Sequence, residues 1–181
     1  MRNEKGCGMG KDDGYEIVID FIAENRDSAY RLAYSYVNNK EDALDIIQDS
    51  ICKALASVKH LKNKERIKPW FYRILVNAAI DLLRKNKKYT SLEVKTLEAA
   101  ESDPLDNYLK FEIKNALDTL PIKNKTIIML RFYEDMTLEE IANIMDENIN
   151  TIKTRLYSSL KKMNIHLQEY DKDVVDKEVL L

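Results

Sequence analysis

The sequence predicts an all-α fold made of two small helical domains that a flexible linker joins. All four glycines of the 181 residues lie before residue 15, and the only prolines are at positions 69, 104 and 121. Sheets need many turns, which draw on glycine and proline, so this distribution favours helices. Apolar residues also recur at helical spacing through most of the chain. Together these observations indicate two helical bundles.

Length and composition narrow the class of protein. With 45% hydrophobic and 33% charged residues, the chain is expected to fold and to present a highly charged surface. We expect no signal peptide, because the first thirty residues hold no uninterrupted apolar run, and no membrane span, because the apolar stretches are short. Cys7 and Cys52 lie far apart without a Cys-x-x-Cys spacing, which indicates free thiols in a reducing cytosol.

Helical periodicity and capping residues define the predicted first domain. Asn39, followed three residues later by Asp42, is suited to cap a helix, since a carboxylate is favourable in the first turn. Pro69 fits the first turn of a later helix that is apolar around much of its circumference and should form the domain centre. The predicted elements are a disordered N-terminus at 1–14 and, within a domain at 15–88, one long or one broken helix at 15–37, a helix at 40–58, a charged loop at 59–68 and a helix at 69–85.

The second domain is predicted to begin after a linker of weak periodicity. Pro104 and Pro121 each open a helix with apolar residues at helical spacing. Thr137 and Glu140 form a Thr-x-x-Glu capping box ahead of a short helix, and Asn148 can cap the last helix. The predicted elements are a linker at 89–103, a domain at 104–169 with helices that begin near 104, 121, 137 and 148, the last ending near 167, and a floppy tail at 170–181.

The last two predicted helices match a helix-turn-helix. Both are amphipathic, a tight Asp146-Glu147 turn joins them, and residues 151–162 hold four basic residues and no acid. An ordinary helical hairpin in a bundle is the alternative. Side chains expected to point into this domain include Ile113, Phe132, Ile152, Leu156 and Leu160.

The net charge of −2 hides a strong asymmetry in the first domain. Residues 11–52 hold four basic and ten acidic residues, a net charge of −6, whereas residues 53–88 hold eleven basic and two acidic residues, a net charge of +9. A basic block after an acidic one indicates two different partners, one of them a polyanion. A solvated charged surface without a partner is the alternative.

Several motifs resemble segments of bacterial sigma factors. The resemblance covers about residues 15–163, leaves no room for a region 1.1 or a region 3, and is similar in order and spacing to the extracytoplasmic-function class, in particular its sigma-V-type envelope-stress subgroup. Asp146 stands where the family often has glycine, and we expect the turn to stay intact because Asp tolerates a left-handed backbone. The motifs are 41–49 for region 2.2, 68–74 with Asn77 and 79–85 for regions 2.3 and 2.4, and 120–121, 126–133, 136–142 and 150–156 for region 4.

The resemblance implies an all-α protein with a sigma region 2-like bundle and a sigma region 4-like helix-turn-helix, which directs RNA polymerase core to promoters and assists their opening. It implies that a face of the second helix docks on the clamp helices of the polymerase largest subunit. Asp45, Gln48 and Asp49 lie at i, i+3 and i+4, hence on one helix face. The predicted polymerase-binding residues are Asp42, Asp45, Gln48 and Asp49.

The resemblance also assigns two promoter-binding surfaces. Basic side chains neutralise phosphates, and Asn77 with the charged loop is expected to recognise unstacked bases. Trp70 is either a stacking residue or, in so apolar a helix, part of the core. The predicted residues for the minus-ten element are Lys59, Lys62, Lys64, Arg66, Arg73, Asn77, Arg84 and Lys85. For the minus-thirty-five element they are Lys153, Thr154, Tyr157, Ser158 and Lys161, with Arg155 nearer the inner face as a brace.

Two other classes of protein stay open from the residues alone. A helix-turn-helix regulator without polymerase would leave the acidic helix and its basic successor unexplained, and a protein-binding helical adaptor would leave the basic last helix unexplained. We expect no enzyme, no metal and no cofactor, because His60 and His166 have no partner at ligand spacing. The expected partners are RNA polymerase core, promoter DNA and a membrane-anchored anti-sigma factor that holds the cytoplasmic protein at the membrane.

Overall fold

The fold is helical throughout the residues that the structure, a computed structural model, describes. These are residues 11–61, 63–89 and 113–178, with side chains described at 14–61, 63–85 and 113–164. Within these ranges every regular element is a helix or a helical turn, which confirms the predicted all-α class. The chain divides into two compact units between Lys95 and Thr96, a position inside the predicted linker.

Within its described residues, 11–61 and 63–89, the first unit contains four α-helices. The first of them begins four residues before the predicted start at Tyr15, and Gly14 within it is buried, so packing extends the helix beyond its apolar repeat. The helices are α1 (Lys11–Glu24), α2 (Arg26–Val37), α3 (Lys40–Ser57) and α4 (Ile67–Tyr89), with single 3₁₀ turns at Val58–His60 and Lys64–Arg66.

Asparagine side chains and backbone define the boundaries of α1, α2 and α3. The helix is interrupted at Asn25, whose backbone N and Nδ2 both donate to the Phe21 carbonyl, at 3.0 and 2.8 Å. The broken form of the predicted helix is therefore the one observed. Asn38 ends α2 in the left-handed conformation. The predicted cap of α3 is confirmed, because the Asp42 backbone N donates to Asn39 Oδ1 at 2.8 Å.

Helix α4 supplies the centre of the first unit, as its apolar circumference predicts. Phe71 and Tyr72 are almost completely buried, and Phe71 meets Phe21 of α1 edge to face at 5.7 Å between ring centroids. Trp70 is only half-buried, so it belongs wholly to neither of its two predicted environments. Further buried side chains from the other helices are Leu32, Ala33, Tyr36, Ala43, Ile46 and Ala54.

The second unit includes one π-helical turn that the sequence did not predict. In that turn the Glu134 backbone N donates to the Met129 carbonyl at 3.3 Å, one residue further back than in an α-helix. Residues 104–112 of the helix predicted at Pro104 lie outside the described residues. The elements are a helical segment at 113–118 (α5), α6 (Ile122–Ile128), the π turn (Met129–Tyr133), α7 (Leu138–Met145) and α8 (Ile149–Glu178).

The length of α8 corrects a prediction. The helix continues to Glu178, so the predicted end near residue 167 and most of the floppy tail at 170–181 are wrong. No glycine or proline interrupts the chain after Pro121, so there is no residue type here that would break the helix.

Three predicted core positions of the second unit are exposed instead. Phe132 is 59% exposed because the extra residue of the π turn shifts the following side chains out of phase. Leu160 is 37% exposed, and Ser159 is buried in its place. Ser159 lies seven residues after the buried Ile152, which is close to two full turns and returns it to the buried side, whereas Leu160 lies eight residues after it and is rotated past that side. Ile113 is also exposed. Ile127, Leu130, Met136 and Ile141 form the buried centre.

Candidate polymerase and promoter interfaces

Three of the four predicted polymerase-binding residues lie together on the surface of α3. Asp45, Gln48 and Asp49 are exposed, and we call them the acidic face. Asp42 stands apart, because it is half-buried and its carboxylate accepts a hydrogen bond from Asn39 Nδ2 at 2.5 Å in the helix cap. Within the acidic face, Asp49 pairs with Lys53 one turn later at 2.7 Å, with both side chains about half exposed.

A cleft between α3 and α4 adjoins the acidic face. It has a volume of about 310 Å³, and its apolar floor comprises Ile46, Ala78 and Leu82. Asp45 and Asp49 line it from α3, and Asp81 and Lys85 line it from α4. The acidic face and the basic end of α4 are therefore neighbours on one side of the first unit.

The predicted minus-ten residues form an exposed, mainly basic surface on α4 and the turns before it. Arg73, Asn77 and Arg84 are exposed at i, i+4 and i+11, which places them along one face of α4, and we call them the α4 stripe. Arg84 lies 3.6 Å from Asp81, an exposed pair that leaves the guanidinium accessible. Lys62 lies outside the described residues. Lys59, Lys64, Arg66 and Lys85 are exposed as well.

The helix-turn-helix has the local hydrogen bonds that its sequence predicts. In the capping box of α7 the Glu140 backbone N donates to Thr137 Oγ1 at 3.2 Å, and the Thr137 backbone N donates to Glu140 Oε2 at 2.8 Å. Asp146 adopts the left-handed conformation, with φ 53° and ψ 46°, so the expected tolerance of Asp at this position is confirmed. At the start of α8 the Asn150 backbone N donates to Asn148 Oδ1 at 2.8 Å.

The five predicted minus-thirty-five residues share one exposed surface of α8, which we call the outer face. Tyr157 is 67% exposed, whereas Ile152 and Leu156 on the opposite side are buried. Two hydroxyls of the outer face donate to the helix itself, Thr154 Oγ1 to the Asn150 carbonyl at 2.9 Å and Ser158 Oγ to the Arg155 carbonyl at 3.0 Å. The outer face consists of Lys153, Thr154, Tyr157, Ser158 and Lys161, all exposed.

A polar network behind α8 was missed by the sequence reasoning. The Glu147 carboxylate pairs with Arg155 through Oε2 and accepts from Lys123 Nζ through Oε1 at 2.7 Å. The hydrogen bond from Arg155 is the main cause that lowers the pKa of Glu147. Arg155 is thereby confirmed as a brace, although its partner had no sequence signal.

Another ion pair of the second unit is largely buried. Lys125 Nζ lies 2.5 Å from Asp118 Oδ1, and Lys125 is only 7% exposed. Nearby, burial is the main cause that lowers the pKa of Lys114, opposed by the charge of Asp118. The Asp118 carboxylate offsets part of the cost of burying the Lys125 ammonium.

Two findings concern other kinds of site. Among the described residues, no group of three or more His, Cys, Asp and Glu side chains could hold a metal ion. Across the same ranges no helix has the length and apolar character that crossing a membrane requires.

Two family models and several known proteins match this chain. The family model for Sigma-70 region 2 matches residues 21–89, and that for Sigma-70, region 4 matches residues 110–163. The chain is 51% identical over 155 residues to the RNA polymerase sigma factor SigV of Bacillus subtilis, which covers 86% of this chain and 93% of that protein. It is 27% identical to the ECF RNA polymerase sigma factor SigW of the same organism, over 91% of this chain and 95% of that protein.

The chain therefore belongs to the sigma-70 family of RNA polymerase sigma factors. Within that family it is a sigma factor of the extracytoplasmic-function group, similar to SigV. Such a protein is a transcription initiation factor rather than an enzyme: it binds RNA polymerase core and promoter DNA and directs promoter-specific initiation.

Solved structures share the fold. The sigma factor RpoE from Bartonella quintana, crystallised with the anti-sigma factor NepR, has a TM-score of 0.69 at 24% identity over 82% of this chain and 97% of that chain. CnrH, solved in complex with the cytosolic domain of CnrY, has a TM-score of 0.64 at 15% identity over 90% of this chain and 99% of that chain.

Proposed function

We propose that this sigma factor divides its contacts among three surfaces. The acidic face of α3 docks on the clamp helices of the polymerase largest subunit, the α4 stripe and its neighbouring turns contact the minus-ten element, and the outer face of α8 enters the major groove of the minus-thirty-five element. One observation carries the proposal: all five residues of the outer face are exposed, while Ile152 and Leu156 opposite them are buried.

At the minus-ten element, the chemistry of the side chains divides the work. Arg73, Arg84 and Lys85 neutralise phosphates, since an exposed guanidinium or ammonium exchanges counterions at little cost. Asn77 lies between the two arginines of the α4 stripe and offers both a donor and an acceptor, which suits recognition of an unstacked base. Half-buried Trp70 can offer only part of its ring to a base.

Base substitutions in the upstream element test the outer face. Lys153 lies in the second turn of α8, where a recognition helix contacts base edges, so Lys153→Ala should weaken binding of holoenzyme to the preferred element by about 1–3 kcal/mol and relax its preference at one or two positions. Lys161 lies two turns further along, so Lys161→Ala should weaken all sequences equally and lower the salt slope by about one.

The measurement is run-off transcription from a randomised minus-thirty-five library at two salt concentrations. Base preferences unchanged by Lys153→Ala, Tyr157→Ala and Ser158→Ala would show that the outer face does not read DNA. Loss of preference in Lys161→Ala alone would mean that α8 is docked in the opposite sense.

We further propose that an anti-sigma factor holds this protein inactive until an envelope stress releases it. The likeness to SigV and the solved complex of the sigma factor RpoE with the anti-sigma factor NepR support this regulation. The protein would then be cytoplasmic and, with a membrane-anchored inhibitor, sequestered at the inner face of the membrane. The inhibitor is expected to form a one-to-one complex that protects the acidic face, the outer face of α8, or both from solvent in hydrogen exchange. A silencing complex that protects neither surface would contradict the proposal.

A further inference from the structure

The carboxylate of Glu147 joins two cations from different parts of the second unit. Its Oε2 pairs with Arg155 of α8, and its Oε1 accepts from Lys123 Nζ of α6 at 2.7 Å. The Glu147 side chain is 14% exposed, so little water competes for either oxygen. Glu147 itself directly follows the left-handed Asp146 in the turn between α7 and α8, so its backbone position is fixed.

Two more contacts hold the same side of α8. Asn124 Nδ2 donates to Oγ of the buried Ser159 at 2.9 Å, and Lys162 Nζ donates to the Thr119 carbonyl at 3.1 Å. Arg155, Ser159 and Lys162 lie at i, i+4 and i+7, which is one stripe of α8. At about 100° per residue this stripe is opposite Lys153 and Tyr157 of the outer face.

Ser159 lies six residues and Lys162 nine residues after Lys153, so their contacts are farther from the N-terminal, base-reading turns of α8 than the Glu147 contact is. Arg155 directly follows Thr154 in the chain and lies two residues after Lys153. A rotation of α8 about its axis would therefore move Arg155 and these readers together. A charge-assisted, partly buried pair is the strongest of the three contacts.

We infer that Glu147 is a positioning residue for promoter recognition, which acts through Arg155 to fix the rotation of α8. The inference rests on the proposed function of the outer face. According to this inference, the Glu147 carboxylate affects which bases the outer face reads without contacting a base itself. The lowered pKa of Glu147 agrees, because the carboxylate stays charged at neutral pH.

Holoenzyme reconstituted from the full-length protein and core polymerase provides the test. Equilibrium binding is measured for the preferred upstream element, for its single-base variants and for unrelated DNA at several salt concentrations. The variants are Glu147→Gln, Arg155→Gln and the double variant. Glu139→Gln is the matched control, since Glu139 is an exposed acid in the first turn of α7 and its loss changes the net charge equally.

Glu147→Gln should lower the ratio of specific to non-specific binding about three- to tenfold, because a rotated α8 misplaces its readers. Its salt slope should stay close to that of Glu139→Gln, because Arg155 lies on the side of α8 opposite the outer face. The double variant should lose no more base preference than Glu147→Gln does, because both act through one contact. Glu139→Gln should leave base preference unchanged, and so should Lys123→Gln, which leaves the Arg155 pair in place.

Other outcomes would overturn the inference. If Glu147→Gln weakens binding to all DNAs equally with an unchanged base preference and a lower melting temperature, the residue is only a stabilising one. Additive losses in the double variant would exclude action through Arg155. If Glu147→Gln fails to fold, Arg155→Lys replaces it, and an unchanged base preference in that variant, which keeps the charge and loses the planar fork, refutes the inference.

Lys153→Ala separates this inference from the proposed function. Wild-type base preferences in Lys153→Ala, Tyr157→Ala and Ser158→Ala together would refute both the outer face as reader and the role of Glu147. Altered preferences in Lys153→Ala combined with wild-type preferences in Glu147→Gln would refute the positioning role alone.

Discussion

The two units of this sigma factor differ in whether their charged side chains lie on the surface or link helices to one another. In the first unit, apolar and aromatic side chains such as Phe21 and Phe71 pack across helices, and the acidic face and α4 stripe lie on the surface. In the second unit, ionised side chains link separate elements, as Glu147 does for α6 and α8 and Asp118 does for buried Lys125.

The difference separates two uses of charge. Exposed charges contribute little to folding, so those of the first unit can be committed to partners without a penalty in stability. Replacing one member of a partly buried ion pair lowers the stability of the fold, because its partner is left desolvated and without an opposite charge. Substitutions of exposed charged residues should therefore act on binding, whereas substitutions within the partly buried pairs of the second unit should act on both stability and specificity.

The largest expected effect is on polymerase docking. The double variant Asp45→Lys with Asp49→Lys should weaken binding to core polymerase at least about a hundredfold, because like charges placed across an interface cost several kcal/mol. The loss of the Asp49–Lys53 pair should lower the free energy of unfolding by only about 0.3–0.5 kcal/mol. Asp20→Lys with Glu24→Lys, two exposed acids of α1, is the matched control. Wild-type run-off transcription by the first variant would show that the acidic face does not dock.

Truncation of the aromatic core should come next in size. Phe71→Ala should lower the free energy of unfolding of the first unit by about 3–5 kcal/mol, because Phe71 is almost completely buried. Phe132→Ala, at the exposed π turn of the second unit, should change the free energy of unfolding of the second unit by less than about 0.5 kcal/mol. During urea unfolding, fluorescence of Trp70, the single tryptophan, reports on the first unit, and helical circular dichroism also includes the second. Similar effects of the two variants would mean that the exposure of Phe132 is wrong.

A smaller effect is expected at the capping box of α7. Thr137→Ala removes the side-chain acceptor of the Glu140 backbone N and should destabilise the second unit by about 1 kcal/mol. Thr137→Ser keeps the hydroxyl and should be close to wild type. The loss should appear in helical circular dichroism and not in Trp70 fluorescence, since Trp70 lies in the other unit. A shifted Trp70 transition would contradict the independence of the two units.

The smallest effect is the pH dependence from Glu147. The hydrogen bond from Arg155 lowers the pKa of this carboxyl in the folded chain below its ordinary value of about 4.3. The resulting stabilisation is therefore fully present above that ordinary pKa, and it is lost as the pH falls through the lowered one. The melting temperatures of wild type and Glu147→Gln should differ most at neutral pH and converge as the pH falls through the lowered pKa. A difference that stays constant from neutral pH to the lowest pH at which the protein is folded would assign the stabilisation to packing.

Local features of this fold could be predicted from the sequence, because their hydrogen bonds join residues that are close together in the chain. Asn39, Thr137 and Asn148 each bind backbone within three residues, so chain order alone defines their partners. The left-handed turn at Asp146 was equally readable, because few residue types accept that conformation. The faces of α3 and α8 followed from helical phase.

Prediction from the sequence failed for side chains whose helical phase the π turn shifts and for contacts between residues far apart in the chain. One extra residue in the π turn was enough to expose Phe132, and nothing in its apolar character indicates the turn. The contacts of Lys123 with Glu147 and of Asn124 with Ser159 span 24 and 35 residues, so they depend on how the helices pack. The residue proposed to position α8 was for this reason absent from the predicted sites.

Three left-handed positions of this chain are occupied by residues other than glycine, which lowers the conformational entropy of the unfolded chain. Asn38, Asp135 and Asp146 have φ of 53°, 50° and 53°, and the chain has no glycine after residue 14. A residue with a Cβ atom explores fewer conformations than glycine when unfolded, which favours folding by about 0.4–1 kcal/mol for each position. That gain offsets much of the steric penalty of the left-handed backbone, about 1–2 kcal/mol for each residue. The stiffness of the unfolded chain, as well as the contacts of the folded one, thus helps these three corners to form.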